Sequence, residues 1–279
     1  MDSASPTPRS PTHHAAARGS PAWAAVHNNA AWCDAVCRAQ GAETAWVDGL
    51  WVNLHPAPPY YSNAVTTDPR ETRSQEDRLR RMLGSALPRP WSVKDGFHVL
   101  DLAPLGFRIL FEAQWIHLPA GPRLDDGRAA PADGALDDVE WSAVTSIAEL
   151  EDWERAWRGE NPEAATSGPP AMFPPILLDD PDIRFLAGRR SGRTLAVAAA
   201  NRSDDGTGPV VGISNIVLGD DGSWLLAGAV EAVRRAFPGL PMVGYERGDA
   251  LAAMRALGFE PSGPLRVWIT RLTPGPGPR

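Results

Sequence analysis

The chain has 279 residues, 43% of them hydrophobic and 22% charged, and a formal net charge of −7 at pH 7. That length buries one large core or two small ones, and the acidic balance excludes a general nucleic-acid binder, whose phosphate contacts need a basic field. No uninterrupted apolar run approaches the roughly 20 residues that span a bilayer, so no membrane association is expected.

Residues 1–21, "MDSASPTPRSPTHHAAARGSP", lack the apolar segment of a signal peptide and read as a disordered tail. "NNAAWCDAVCRAQ" (Asn28–Gln40) reads as a helix. Cys33 and Cys37, the only cysteines, fall on one of its faces and read as small reduced hydrophobes, which makes the cytoplasm the expected location. "AWVDGLWVNL" (Ala45–Leu54) is a hairpin with an Asp-Gly turn. Three prolines stiffen "HPAPPYYSN" (His55–Asn63). Two readings stand for it: a rigid connection that packs its tyrosines on the core, or a pocket lining with Tyr60, Tyr61 and Asn63 as substrate-binding residues.

A charged helix around Gln75–Leu83 and a strand around Trp91–Val93 follow. Lys94, the single lysine in an arginine-rich chain, reads as the mark of a GC-rich genome. With Asp95 it forms either a solvated pair or part of a salt bridge or pocket between two halves. "LGF" (Leu105–Phe107) leads into a strand at Arg108–Ile116, and the Asp/Ala/Gly/Pro-rich stretch 121–138 reads as a linker.

Val139–Trp157 predicts a strand and an amphipathic helix, and Gly159–Pro175 a long loop able to cover a pocket. Ile183–Asn201 predicts two strands joined at a Ser-Gly turn, with a third strand at "VVGIS". Ser223–Phe237 reads as a helix with Ser223 as its N-cap. The strand Pro241–Glu246, a helix over Gly248–Phe259 stopped by Gly258, and the strand Leu265–Thr270 complete the chain before a tail at 273–279. The 11 tryptophans are scattered among apolar residues and are expected in the core.

One ungapped offset of 152 residues aligns Ser-Asn-x-Val at Asn63 with Ser-Asn-x-Val at Asn215, and Leu-Gly-Phe at Gly106 with Leu-Gly-Phe at Gly258. With the shared order of elements this predicts two tandem units, residues 22–120 and 139–272. No nucleophile elbow, metal-ligand cluster or dinucleotide fingerprint is present in the sequence.

The order hairpin, strand, helix, strand, helix, strand resembles the GCN5-related N-acetyltransferase superfamily. "ERGDALAAMRALGFEPSGPLRVWI" matches its closing motif at Ala250, Leu257, Gly258 and Phe259, with Arg247 in place of an asparagine and Met254 in place of the tyrosine. The resemblance covers about residues 183–271 and, more faintly, 28–118. It implies an α/β (α+β) fold of two units with mixed central sheets flanked by helices. It also implies acetyl-CoA or another acyl-CoA as donor and a small-molecule amine as acceptor. The strand residues Ile213, Ser214, Asn215 and Ile216, with Gly222 and Ser223 at the helix start, would be the cofactor-binding set.

The family's pyrophosphate loop is glycine-rich, whereas "GDDGSW" (Gly219–Trp224) keeps the central glycine but adds Asp220, Asp221 and a bulky Trp224. The first half's counterpart, "TTDPRET" (Thr66–Thr72), has no glycine and is expected to be silent. Glu246 is the expected catalytic base and Tyr245 a substitute acid for the missing tyrosine. Other readings stand beside these: Glu246 pairs with Arg247 or Arg266, Tyr245 is a core tyrosine, and Ser214–Asn215 form a bulge. Two functions follow, an N-acyltransferase or a binding protein that kept the fold and lost CoA.

Overall fold

The computed structural model describes residues 16–84, 90–121, 139–159, 171–219 and 222–270. Residues 1–15 of the expected tail 1–21, residues 85–89, residues 122–138 of the expected linker 121–138, most of the long loop (160–170), Asp220, Asp221 and residues 271–279, which include the expected tail 273–279, lie outside them. The end of the expected tail 1–21 is instead the capped start of the first helix.

Helix α1 spans Pro21–Ala39. It starts two turns before the helix expected at Asn28, because Ser20 caps it by accepting the Trp23 N–H at 3.2 Å and Pro21 needs no N–H partner at the first position. Strands β1 (Thr44–Val47) and β2 (Leu50–Asn53) form the expected hairpin, with Asp48 and Gly49 both at positive φ as an Asp-Gly turn requires. Strand β3 (Ala64–Thr66), helix α2 (Thr72–Leu83), strand β4 (Ser92–Asp95) and strand β5 (Phe107–Leu118) complete the first half.

The second half runs β6 (Glu140–Ala143), α3 (Ile147–Arg158), β7 (Ile183–Arg190), β8 (Arg193–Asp204), β9 (Pro209–Leu218), α4 (Ser223–Ala236), β10 (Met242–Glu246), α5 (Gly248–Ala256) and β11 (Glu260–Thr270). Ser146 and Glu149 form a reciprocal capping box on α3. The N-cap of α4 is Gly222 at φ +76° rather than Ser223, which is its first helical residue.

All eleven strands join one sheet in the order β1-β2-β3-β4-β11-β5-β10-β9-β8-β7-β6. The closing strands are exchanged: β11 lies between β4 and β5, and β5 lies between β10 and β11. Separating the halves would break ladders that only the other half supplies. Pairing is antiparallel except for β3–β4 and β9–β10.

Helices α1 and α3 cover one face with a core containing Trp32, Trp115, Trp153, Phe173 and Phe185. On the other face α4 buries Leu226, Val230 and Val233 beside Met254 of α5. Helix α2 seals a third cluster with Leu79 and Met82 against Trp91 and Trp268. No helix among the described residues is long and apolar enough to cross a membrane.

Candidate active site

Strands β9 and β10 run parallel but pair only at Met242–Val211 and Val243–Gly212. Beyond that point they part, and a bulge bends β9 away. Ser214 opposes Ala199 and Val217 opposes Val197, which leaves Asn215 and Ile216 against a single residue of β8. Asn215 takes the left-handed conformation, φ +52°, and its side-chain oxygen accepts from the Ser214 hydroxyl at 3.0 Å.

The gap opens into a cavity of about 320 Å³. Residues 212–216 of β9 form one wall and 243–246 of β10 the other, with Asn28, Asn29, Trp32 and Cys33 of α1 across it. Tyr60, Tyr61, Lys94, Trp115 and Trp157 close the remaining sides. Both halves of the chain therefore build one chamber.

The first half has no equivalent gap where β3 meets β4. Asn63 donates its N–H to Ser92 O at 2.9 Å and accepts the Ser92 N–H at 3.0 Å, and the Gly96 N–H is held by Thr66 Oγ1 at 2.7 Å.

Of the residues singled out in the sequence, Tyr60, Tyr61, Ile213, Ser214, Asn215, Ile216, Tyr245 and Glu246 line this chamber. Asn63 lies instead in a second chamber of about 560 Å³. Gly222 sits at the start of α4. Tyr60 is 90% exposed at positive φ with its ring edge-on to Trp157, whereas Tyr61 is buried. The Tyr61 hydroxyl is near Trp32 and Asn215, makes no well-formed hydrogen bond, and is held well above its ordinary pKa by burial.

Glu246 is half-buried, and Arg266 pairs with Glu112 rather than with it. Burial raises its carboxyl to about 7, against a smaller lowering effect from Arg247. The Arg247 guanidinium stacks on Phe111 at 4.9 Å, and Arg266 pairs with Glu112. Tyr245 stands opposite Trp115 across β5–β10, ring centroids 5.5 Å apart and nearly perpendicular, with Lys94 Nζ 4.6 Å above its ring. Met254 is buried in the α4-side core and offers no hydroxyl.

The expectation of a solvated Lys94–Asp95 pair is corrected: both are buried, and adjacent strand residues point to opposite faces. Lys94 Nζ donates to Asn29 Oδ1 at 2.7 Å. Asp95 accepts the Val99 and Leu100 N–H groups at 3.0 and 2.9 Å, and burial raises its pKa.

The α1 contribution escaped sequence reasoning, although two adjacent asparagines inside an apolar helix were the available signal. Asn28 Nδ2 donates to Asn201 O and Ser203 Oγ, both at 2.9 Å, across the base of the gap. Beside the first turn of α4, Arg190 lies over the Trp224 ring at 5.4 Å.

Neither a protein-family model nor a curated protein matches the sequence. Among solved structures, the chain is similar to a GCN5-related N-acetyltransferase from Kribbella flavida, with TM-score 0.56 and 17% identity over 89% of this chain and 96% of that one. It is also similar to a functionally unknown conserved protein from Staphylococcus epidermidis, with TM-score 0.54 and 12% identity over 83% of this chain and 95% of that one. The chain has the mixed α/β fold of the GCN5-related N-acetyltransferases.

Proposed function

We propose that the protein is an acyl-CoA-dependent N-acyltransferase acting on a small amine. The observation that carries this reading is the parting of β9 from β10 with Glu246 at its lip, a half-buried carboxyl raised to about 7. A base with that pKa is matched to taking a proton from an amine near neutral pH.

The chain's own residues fit the donor. Past Gly212, β9 has no ladder partner on its β10 side, which leaves backbone amide groups at Ile213–Ile216 for an amide-bearing pantetheine arm. The free N–H groups at the start of α4, behind Gly222 and Ser223, suit a pyrophosphate. When bound, the donor supplies an acyl thioester as electrophile. Glu246 then accepts the amine proton. Tyr245 Oη is the assigned proton donor in place of the hydroxyl that Met254 lacks, its ring fixed between Trp115 and Lys94. Tyr60 and Tyr61 border the acceptor side, and Asn63 contributes from the second chamber.

The tandem reading, units 22–120 and 139–272, belongs to the same proposal. The 152-residue offset carries β5 onto β11 and α2 onto α4, in agreement with the exchange of closing strands. Two free, buried cysteines suit a reducing, cytoplasmic setting.

A second reading, a binding protein without CoA, is favoured by Trp224 in the first turn of α4. Calorimetric titration with acetyl-CoA and with CoA separates the two. The enzyme reading expects micromolar binding that weakens about tenfold in Gly222→Ala, since an alanine at φ +76° costs roughly 1 kcal/mol or more. No binding up to millimolar CoA retires it in favour of the second.

A further inference from the structure

Lys94 is the only lysine among 27 basic residues, and it is 7% exposed inside the site. Of its three donors one goes to Asn29, a neutral acceptor, and the Tyr245 ring takes one face of the ammonium. No carboxylate among the described residues pairs with it, and Asp95 is committed to the backbone on the other side of β4. Burying an ammonium without a counter-ion is costly, and the cost is offset when an anion arrives.

Lys94 also lies where two chambers meet. Tyr60, Tyr61, Lys94 and Tyr245 line both the chamber at the β9–β10 gap and the larger chamber of about 560 Å³. The larger chamber is walled mainly by Pro58, Leu110, Phe111, Val267 and Ile269, and among the described residues no other cation lines it. One side of Lys94 thus faces the β9–β10 gap, and the other faces a largely apolar chamber that Ser62, Asn63 and Ser92 also border.

Resting on the acyltransferase reading, we infer that the acceptor is an amino acid with an apolar side chain, and that Lys94 binds its carboxylate. The amine then points into the β9–β10 gap, whose lip carries Glu246, and the side chain occupies the larger chamber. A compact ammonium that gives one donor to Asn29 and one face to the Tyr245 ring keeps two donors for a carboxylate oxygen.

The test is calorimetry of the full chain, without acyl-CoA, against L-phenylalanine, L-leucine, phenylalaninamide and phenethylamine. Phenylalanine is expected to bind about tenfold or more tightly than its amide or amine, the scale of one charge-assisted hydrogen bond. Lys94→Met should abolish that preference. Asn29→Asp places an internal carboxylate against Nζ without changing side-chain size, and should cut the preference in a protein whose melting temperature confirms folding.

Equal affinity for acid and amine, no binding of either amino acid, or a preference untouched by both variants overturns the inference. Amino-acid binding alongside failure to bind any acyl-CoA would instead retire the acyltransferase reading and leave Lys94 as a carboxylate site.

Discussion

Asn28 and Asn201, 173 residues apart, hold each other reciprocally: Asn28 Nδ2 donates to Asn201 O at 2.9 Å, and Asn201 Nδ2 donates to Asn28 O at 3.2 Å. The pair fastens α1 to β8 at the base of the gap and presses against Gly212, the last residue of β9 that pairs with β10. A Cβ there would run into Asn28 Oδ1 and lie 2.7 Å from Asn201 Oδ1. Gly212→Ala is therefore expected to destabilise the protein by about 1–3 kcal/mol through overpacking. Asn28→Ala is expected to cost a similar amount through its orphaned partners, about 1–3 kcal/mol. Urea unfolding checks both, and a loss under 0.5 kcal/mol for Gly212→Ala would show that α1 yields without strain.

Much of the frame was legible because its signals are local. The Asp-Gly hairpin, the amphipathic helix α3, and the glycine ending α5 each depend on a few neighbouring residues. The exchange of β5 and β11 was not legible, since either order of the closing strands satisfies the same alternation. The first half of β11 was also hidden. Pro261 and Pro264 argue against a strand, and the structure accommodates this stretch with a register shift between Pro261 and Gly263. In the site, β9 and β10 could be placed from their motifs, but Asn28, Asn29 and Trp32 arrive from a helix of the other half, and no spacing rule connects them.

Asp95 should tolerate little change. Its two oxygens each accept one backbone N–H, and asparagine offers a single acceptor with an amide donor facing the other N–H. Asp95→Asn is expected to cost about 1–3 kcal/mol, the scale of one unsatisfied buried donor. Because burial raises the Asp95 pKa, the carboxylate itself carries a penalty, so the low end of that range is expected. Chemical denaturation at pH 7 measures it.

Glu246 gives two linked pH effects. As a base it works when ionised, so turnover on a saturating amine should rise as pH passes through about 7 and flatten above it. For stability the sign is opposite. Below pH 4.5 the carboxyl is protonated in both folded and unfolded chains. Between 4.5 and about 7 the unfolded chain ionises first, and stability falls as pH rises. Glu246→Gln lacks this penalty, so it should gain on the wild type across that window, by about 1–3 kcal/mol, while losing at least tenfold in rate. A rate that ignores the substitution would remove Glu246 from the chemistry; a stability difference that ignores pH would place its carboxyl near an ordinary carboxylate.

Glu154 links the support of the site to its wall. Buried on α3, it accepts the Met172 N–H at 2.6 Å and the Phe173 N–H at 3.1 Å, and it pairs with Arg158 one turn on. Phe173 in turn packs against Trp153, Trp157 and Phe185, and Trp157 reaches the chamber, where Tyr60 meets it edge-on. Glu154→Ala strands two buried donors and is expected to cost about 2–4 kcal/mol, whereas Glu154→Gln retains one acceptor and should cost about half as much. Hydrogen exchange at the Met172 and Phe173 amides distinguishes a local effect from a global one. Faster exchange confined to those amides, together with weaker ligand binding, is the expected result. Unchanged exchange in Glu154→Ala would show that the aromatic cluster alone holds this wall in place.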